Sequence, residues 1–341
     1  MTETTTHVVL PGIVEPAGLL VEDVPVASPG AGELLVTVEA TGISYAERAM
    51  RRGRYFMQPA FPFTPGYDLV GTVTAVGAGV DPAMRGRRVA SLTKTGAWTG
   101  RAVVAARDSV LVPEGVTSED AEAVTVNGVT AWQMLHRAAR VAPGQTVLVF
   151  GANGGVGGLL IQLAQHHGVR VIGASSPRHH DALRRAGVEP VDYAAPDLAD
   201  RVRALAPAGV DAVFDNIGGA TTRTARSLLR RGGTLVSYAI IDAVSGTGSL
   251  WPPFLGHIGR ITWWNALPGQ RAVFYDLWSG HSRAPKRFRA HLEQDLGRVL
   301  ELVRDGVLTP RIAARFPLTE VVQAMELAES RTLDGKVVLL P

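Results

Sequence analysis

The spacing of apolar positions changes once along this chain. Through about the first 125 residues it favours a period of two, the period at which successive strand side chains face opposite sides of a sheet. "ELLVTVEATGI" (33–43) alternates apolar and polar residues, and "DLVGTVTAVGAGV" (68–80) is rich in Val and Thr with glycine punctuation. "RVASLT" (88–93) and "GRAVVAARDSVLVP" (100–113) continue the pattern. Short strands between Gly and Pro turns predict a compact barrel or sandwich.

From about residue 128 the texture changes. "TAWQMLHRAAR" (130–140) has helical spacing. Strands are then predicted at "TVLVFG", "VRVIGA", "VEPVDY", "VDAVFDN" and "GTLVSYA". Helices are predicted between them at "GVGGLLIQLAQHH", "RHHDALRRAG", "LADRVRALA" and "ATTRTARSLLRR". This alternation predicts βαβ units on a parallel sheet, and the short apolar runs suit strands buried on both faces. The stretch from 240 to 280 is rich in Trp, Phe and Gly and gives no clear assignment. A helix at about 284–304 and a short strand in "GKVVLLP" follow. The class is α/β.

Composition narrows the field. A length of 341 residues suggests about two domains. The chain is 46% hydrophobic and 19% charged, ordinary for a globular protein. No apolar run approaches the ~18 residues of a membrane span. "MTETTTHVVL" lacks the features of a signal peptide, so a cytoplasmic protein without a membrane partner is expected. The net charge is only +3, and Arg is interspersed with acids, as in "FRAHLEQDLGRVLELVRDG" (288–306). That reads as solvated helix surface and argues against a nucleic-acid partner. There is no cysteine, which excludes disulfides and thiolate-bound zinc.

The chemistry-bearing stretch is "VLVFGANGGVGGLL" (147–160). A strand, a burst of glycines and an apolar helix are the context of a phosphate-cradling loop, although the usual G-x-G-x-x-G is lengthened by one residue. Gly151 permits the turn off the strand. Gly154 and Gly155 let backbone N–H groups approach a pyrophosphate, and Gly157 lets the helix pack close. A glycine-rich turn with no ligand is the alternative. The absence of G-K-[S/T] disfavours a P-loop. NAD sites carry an acid at the end of the next strand, but here "SSPRHH" supplies Ser175, Ser176 and Arg178. Hydroxyls and a guanidinium suit a 2′-phosphate, so the expected cofactor is NADPH. The pairs His166-His167 and His179-His180 read as helix-end caps and surface groups.

In order along the chain, "GISYAERAMRRGRY", "PFTPGYDLVGTVTAVGAGV", "NGVTAWQML", "GANGGVG", "FDNIGG" and "DGKVVL" resemble the medium-chain dehydrogenase/reductase superfamily, in particular its zinc-free quinone oxidoreductase (zeta-crystallin-like) branch. The longer glycine loop is typical of that branch. The resemblance implies a GroES-like β-barrel domain at 1–126, completed by about 270–341, and a Rossmann domain at 127–269. It implies cofactor and substrate in an interdomain cleft. By position it assigns the cofactor to Thr130, to Gly151, Asn153, Gly154, Gly155 and Val156 of the loop, and to Ser175, Ser176, Arg178 and Tyr193 around the 2′-phosphate. Asn216, Gly218, Tyr238 and Ala239 would line the nicotinamide side. Relatives commonly form a two-fold homodimer through an edge strand, for which "RITWW" (260–264) is the candidate here.

The departures carry as much. Zinc alcohol dehydrogenases have Cys at the place of Ser44 and Gly-His-Glu at the place of Gly66-Tyr67-Asp68. Zinc-free members generally reduce a quinone or a C=C conjugated to a carbonyl, where a hydrogen-bond donor on the oxygen suffices. Tyr45 is the first candidate donor, followed by Ser44 and Tyr67. An aromatic covering the barrel mouth is the alternative for both tyrosines, and Asp68 is expected to order the loop. The Trp-rich segment would wall an apolar substrate pocket or form a dimer surface. Two further readings stay open. One is an enoyl-thioester or polycyclic-intermediate reductase of secondary metabolism. The other is a relative that binds NADPH without turnover.

Overall fold

The structure, a computed structural model, describes residues 3–246, 248–330 and 332–341. The chain divides into two compact units, residues 1–129 with 280–341, and residues 130–279.

The first unit begins with the hairpin β1 (Thr4–Val9) and β2 (Leu20–Pro25). β3 (Glu33–Ile43), α1 (Tyr45–Arg51), β4 (Asp68–Val76), β5 (Arg88–Leu92), β6 (Arg101–Ala105) and β7 (Ser109–Leu111) follow. α2 (Ser118–Trp132) then runs across the division into the second unit.

The second unit contains β8 (Thr146–Phe150), α3 (Gly155–His166), β9 (Arg170–Ser175), α4 (His180–Arg185), β10 (Glu189–Asp192) and α5 (Leu198–Leu205). It continues through β11 (Val210–Asp215), α6 (Gly219–Ser227), β12 (Leu229–Ser237), α7 (Ile241–Ser245), α8 (Trp251–Asn265) and β13 (Arg271–Phe274). The chain returns to the first unit with α9 (Pro285–Arg304), β14 (Ile312–Pro317), α10 (Val321–Glu329) and β15 (Lys336–Leu340).

A seven-stranded sheet organises the first unit, and β3 is its hub, paired antiparallel with β4, β6 and β15. Alternate residues of β3, namely Leu34, Val36 and Val38, bury against Leu69, Val73, Val89, Ala102 and Val104. The C-terminal strands β14 and β15 thus complete a sheet begun some 300 residues earlier. In the second unit, six parallel strands run in the order β10-β9-β8-β11-β12-β13. The order reverses between β8 and β11, and such a switch point opens a crevice at the carboxyl ends of the strands. No helix among the described residues is long and apolar enough to cross a membrane.

Four details differ from the sequence reading. The helix expected at 130–140 starts at Ser118 and gives way after Trp132 to π-helical turns over Gln133–Ala139, closed by Arg140 in the left-handed region. Residues 121–130 are all buried, so the helix has no polar face from which a period could be read. The helix expected at 220–231 stops at Ser227, because Leu229 pairs with Val210 and begins β12. "RITWW" is helical rather than an edge strand: His257, Ile261 and Trp264 are buried at helical spacing in α8. The sheet edge is β13 instead, which carries the second unit on to Ser279. Its outward face is partly occupied. The side-chain amide of Asn265 accepts from Ala272 N–H (2.8 Å) and donates to Ala272 C=O (2.7 Å), as a neighbouring strand would.

Candidate functional site

The glycine loop lies at the switch point. β8 ends at Phe150, and Gly151 turns the chain at φ +65. A Cβ there would overlap the side-chain amide of Asn216, the residue just after β11. The two loops flanking the switch point are therefore in contact. Gly154 caps α3 and offers no side chain to the first-turn N–H groups, and no acid stands in that turn. Those donors and the helix dipole could cradle a pyrophosphate. Gly157 is buried. A Cβ on it would overlap the Gly151 carbonyl oxygen and stand 2.9 Å from its carbon. Only glycine lets the helix start against its own loop. Asn153, Gly155 and Val156 are half-buried on the same turn.

Asp215 organises the second loop. Its buried carboxylate accepts from Ile217 N–H (2.9 Å), Gly218 N–H (3.3 Å) and the Thr222 hydroxyl (2.6 Å). Burial pushes its pKa up, and these donors oppose that shift. Gly218 takes φ +89 beside Ile240. Tyr238 N–H donates to the Asp215 carbonyl (3.0 Å). Asn216, Gly218, Tyr238 and Ala239 thus share one framework at the ends of β11 and β12. Burial, and secondarily Asp215, raises the pKa of Tyr238, so its hydroxyl keeps its proton. Beside Tyr238, His257 Nε2 pairs with Ser237 Oγ at 2.9 Å. Burial, then Arg260, holds this imidazole down at about 4 and keeps it neutral.

At the end of β9, Ser175 is buried and its hydroxyl donates to the Ser176 carbonyl (3.2 Å). Ser176 starts a 3₁₀ turn at Pro177–His179. Arg178 is exposed there, and Tyr193 is 48% exposed with its N–H directed to the Ser175 carbonyl (3.4 Å). His179, expected on the surface, is buried instead, and its Nε2 accepts from Arg178 Nε at 3.0 Å. Thr130 is buried in α2.

The hydroxyl candidates belong to the first unit. Ser44 and Glu47 form a capping box at the start of α1. Ser44 N–H donates to Glu47 Oε2 at 2.8 Å, the Ser44 hydroxyl also donates to that oxygen, and Ser44 Oγ accepts from Ala46 N–H. The other oxygen of Glu47 accepts from Tyr67 N–H at 2.7 Å. One buried carboxylate therefore ties Ser44 to Tyr67, with its pKa raised by burial. The Tyr67 hydroxyl pairs with the Tyr55 hydroxyl at 2.7 Å, their rings edge-on at 6.3 Å. Tyr45 is half-buried, with the Arg48 guanidinium 5.9 Å from its ring centre.

Below this lies a group that sequence reasoning missed. Lys336 Nζ is 3.1 Å from Asp68 Oδ2 and 2.5 Å from Glu122 Oε1, and all three side chains are buried. Asp68 also accepts from Val126 N–H (3.0 Å), so its carboxylate ties β4 to α2 and β15. A Cβ on Gly42 would overlap Glu122 Oε1, and the glycine leaves room for this pair. Burial pushes Glu122 up to about 8, against the pull of Lys336. Burial works against the ammonium too, but Asp68 and Glu122 outweigh it and Lys336 ends above its ordinary value. The zinc implied by the wider superfamily does not fit this donor set. Hydroxyls stand at Ser44 and Tyr67, there is no cysteine, and no group of three or more His, Asp or Glu among the described residues could hold a metal ion.

Comparison with known proteins agrees with this geometry. The alcohol dehydrogenase GroES-like domain matches residues 30–143, and the zinc-binding dehydrogenase domain matches residues 187–339. The human synaptic vesicle membrane protein VAT-1 homolog is 34% identical over 323 residues, 92% of this chain and 80% of that protein. A mycocerosic acid synthase-like polyketide synthase of Mycobacterium tuberculosis is 31% identical over 91% of this chain, which spans 14% of that larger protein. Structures of a mycobacterial quinone oxidoreductase, and of a mycobacterial protein complexed with NADPH, each align with a TM-score of 0.83 at 31% identity, covering 99% of this chain and 100% of theirs. The chain belongs to the quinone oxidoreductase-like branch of the medium-chain dehydrogenase/reductase superfamily.

Proposed function

We propose that the protein is an NADPH-dependent reductase that needs no metal and acts on a C=C conjugated to a carbonyl, or on a quinone. The observation that carries this reading is the Tyr55–Tyr67 hydroxyl pair, standing where zinc-dependent relatives hold a metal ligand. The switch-point loop, from Gly151 to Val156, would hold the pyrophosphate. Ser176, Arg178 and Tyr193 would hold the 2′-phosphate, in keeping with the NADPH complex of the mycobacterial relative. When bound, NADPH supplies the hydride.

The chain's own contribution is to stabilise the charge that the hydride leaves on the substrate oxygen, and solvent supplies the proton that completes the reduction. In one of the two directions this hydroxyl pair allows, Tyr55 donates to the Tyr67 oxygen, and the Tyr67 proton would then be directed to the substrate carbonyl oxygen. Negative charge gathering on that oxygen is stabilised by this donor. Glu47 fixes the backbone of Tyr67, so the hydroxyl is preorganised. Ser44, whose hydroxyl already donates to Glu47, supports the site through α1. Tyr45 is the second candidate donor. Tyr67→Phe should lower kcat roughly 100-fold, the usual cost of one oxyanion donor, with KM changed much less. Tyr55→Phe should do the same more weakly. The assay is loss of nicotinamide absorbance with quinones, enals and cyclic enones. No turnover with any of them would remove the proposal.

The likeness to a polyketide synthase favours a second reading, reduction of an enoyl thioester. Activity confined to acyl thioesters in the same assay would select it. Tight NADPH binding with no turnover on either panel would mark a binding protein without catalysis. A homodimer is part of the proposal. Because Asn265 occupies the Ala272 backbone, two copies would meet through the α8 face that exposes Trp251, Leu255 and Trp263. A monomeric mass in light scattering would overturn this.

A further inference from the structure

Arg178 and His179 are neighbours in one 3₁₀ turn, yet one is exposed and the other is 8% exposed. Arg178 Nε donates to His179 Nε2 at 3.0 Å. A guanidinium can only donate, so Nε2 must carry its lone pair, and the neutral ring holds its proton on Nδ1. A long Arg side chain on an exposed turn ordinarily samples many rotamers, and ordering it costs side-chain entropy. Here one edge of the guanidinium is fastened to a buried ring. The turn is fastened as well: Pro177 fixes its start, and His180 Nε2 lies 3.3 Å from the Ser175 carbonyl that also accepts from Tyr193 N–H.

We infer that His179 is a positioning residue for cofactor choice, holding the Arg178 guanidinium in the orientation that receives the 2′-phosphate. The inference rests on the reading of Arg178 as the phosphate contact. His179 meets no cofactor atom in this account. It removes part of the ordering cost that Arg178 would otherwise bear on binding, which is preorganisation. Its effect falls on NADPH alone, because NADH has no group for Arg178 to receive.

The test is the ratio of NADH to NADPH dissociation constants in the full protein, read by quenching of protein fluorescence. Arg178→Ala should weaken NADPH tenfold or more, the cost of about one charge-assisted hydrogen bond, and leave NADH nearly unchanged. His179→Leu should lower the ratio about tenfold or somewhat less. His179→Gln, whose Oε1 can accept in place of Nε2, should restore most of it. In the Arg178→Ala background, His179→Leu should change nothing further. A His179 with a merely packing role would shift both cofactors together, or the melting temperature alone, and would leave the ratio intact. An unchanged ratio in His179→Leu overturns the inference, as does a further NADPH-selective loss in the double variant. If Arg178→Ala itself spares NADPH, the phosphate assignment fails first. Should His179→Leu not fold, His179→Gln against His179→Asn makes the same comparison, because Asn is too short to reach the Nε2 position.

Discussion

Lys336→Met is expected to lower the free energy of unfolding by about 3–5 kcal/mol, the range for removing one partner of a buried ion pair. One ammonium serves Asp68 and Glu122 in a region sealed from water, and Glu47 adds a third buried carboxylate nearby. Without it the Asp68 carboxylate loses its buried counter-charge, Glu122 loses the partner that favours its ionised form, and solvent cannot substitute. Urea unfolding followed by tryptophan fluorescence measures the loss, and a change below about 1 kcal/mol would mean that the pair is not the support described. The variant should recover stability as pH falls, because Glu122 can then take up a proton. Glu122 sets a second expectation in the parent protein. Its folded pKa lies near 8 against an ordinary 4.5, so its protonated form favours folding. Its contribution is full below about 4.5 and is lost as pH rises through about 8. Glu122→Gln should flatten that decline and leave the protein more stable than the parent at alkaline pH.

A methyl group one residue apart on α3 should give opposite results. Gly157→Ala places a Cβ against the Gly151 carbonyl. Neither backbone can yield without reshaping the phosphate loop. NADPH affinity should fall at least about 100-fold, which is about 2.7 kcal/mol. Gly158→Ala meets nothing within 4 Å. It should bind NADPH normally and gain up to about 1 kcal/mol of stability from helix propensity. Titration and thermal melts of the two variants side by side check this. Equal behaviour of the pair would show that the loop tolerates displacement and is not built around the ligand.

These two features differ in how readable they were in the sequence. Gly157 was visible, because glycine spacing after an apolar strand has one strong explanation. The strand over 33–43 was readable for a similar reason: a half-buried strand writes its period into the chain. Lys336 was not, although its setting in "GKVVLL" is a signal, since an ammonium in an apolar strand needs an acid somewhere. Nothing local says that the acids are at 68 and 122. Glu47 could have been found, since Ser44-x-x-Glu47 is a capping-box pattern. That it also holds Tyr67 depends on tertiary contact. Tyr55 lies in a stretch that resembles the family, but its pairing is not legible there, because its partner is twelve residues away through a loop with no period. The helical nature of 260–264 is masked by four β-formers in a row, Ile261 to Trp264, and packing of His257, Ile261 and Trp264 overrides that propensity.

The distance along the chain between Lys336 and Asp68, 268 residues, governs the order of assembly. Asp68 and Glu122 are synthesised early, and the ammonium they share belongs to the last strand of their unit. Until β15 arrives, the first sheet lacks both an interior strand partner for β3 and the charge that lets Asp68 and Glu122 leave water. The second unit is one continuous stretch and bears no such debt to a distant segment. It can close while the chain is still being made, whereas the first must wait as an unfinished sheet with an open edge. The vulnerable species in the life of this protein is therefore a half-born one: an ordered dinucleotide fold preceded by some 130 unsettled residues.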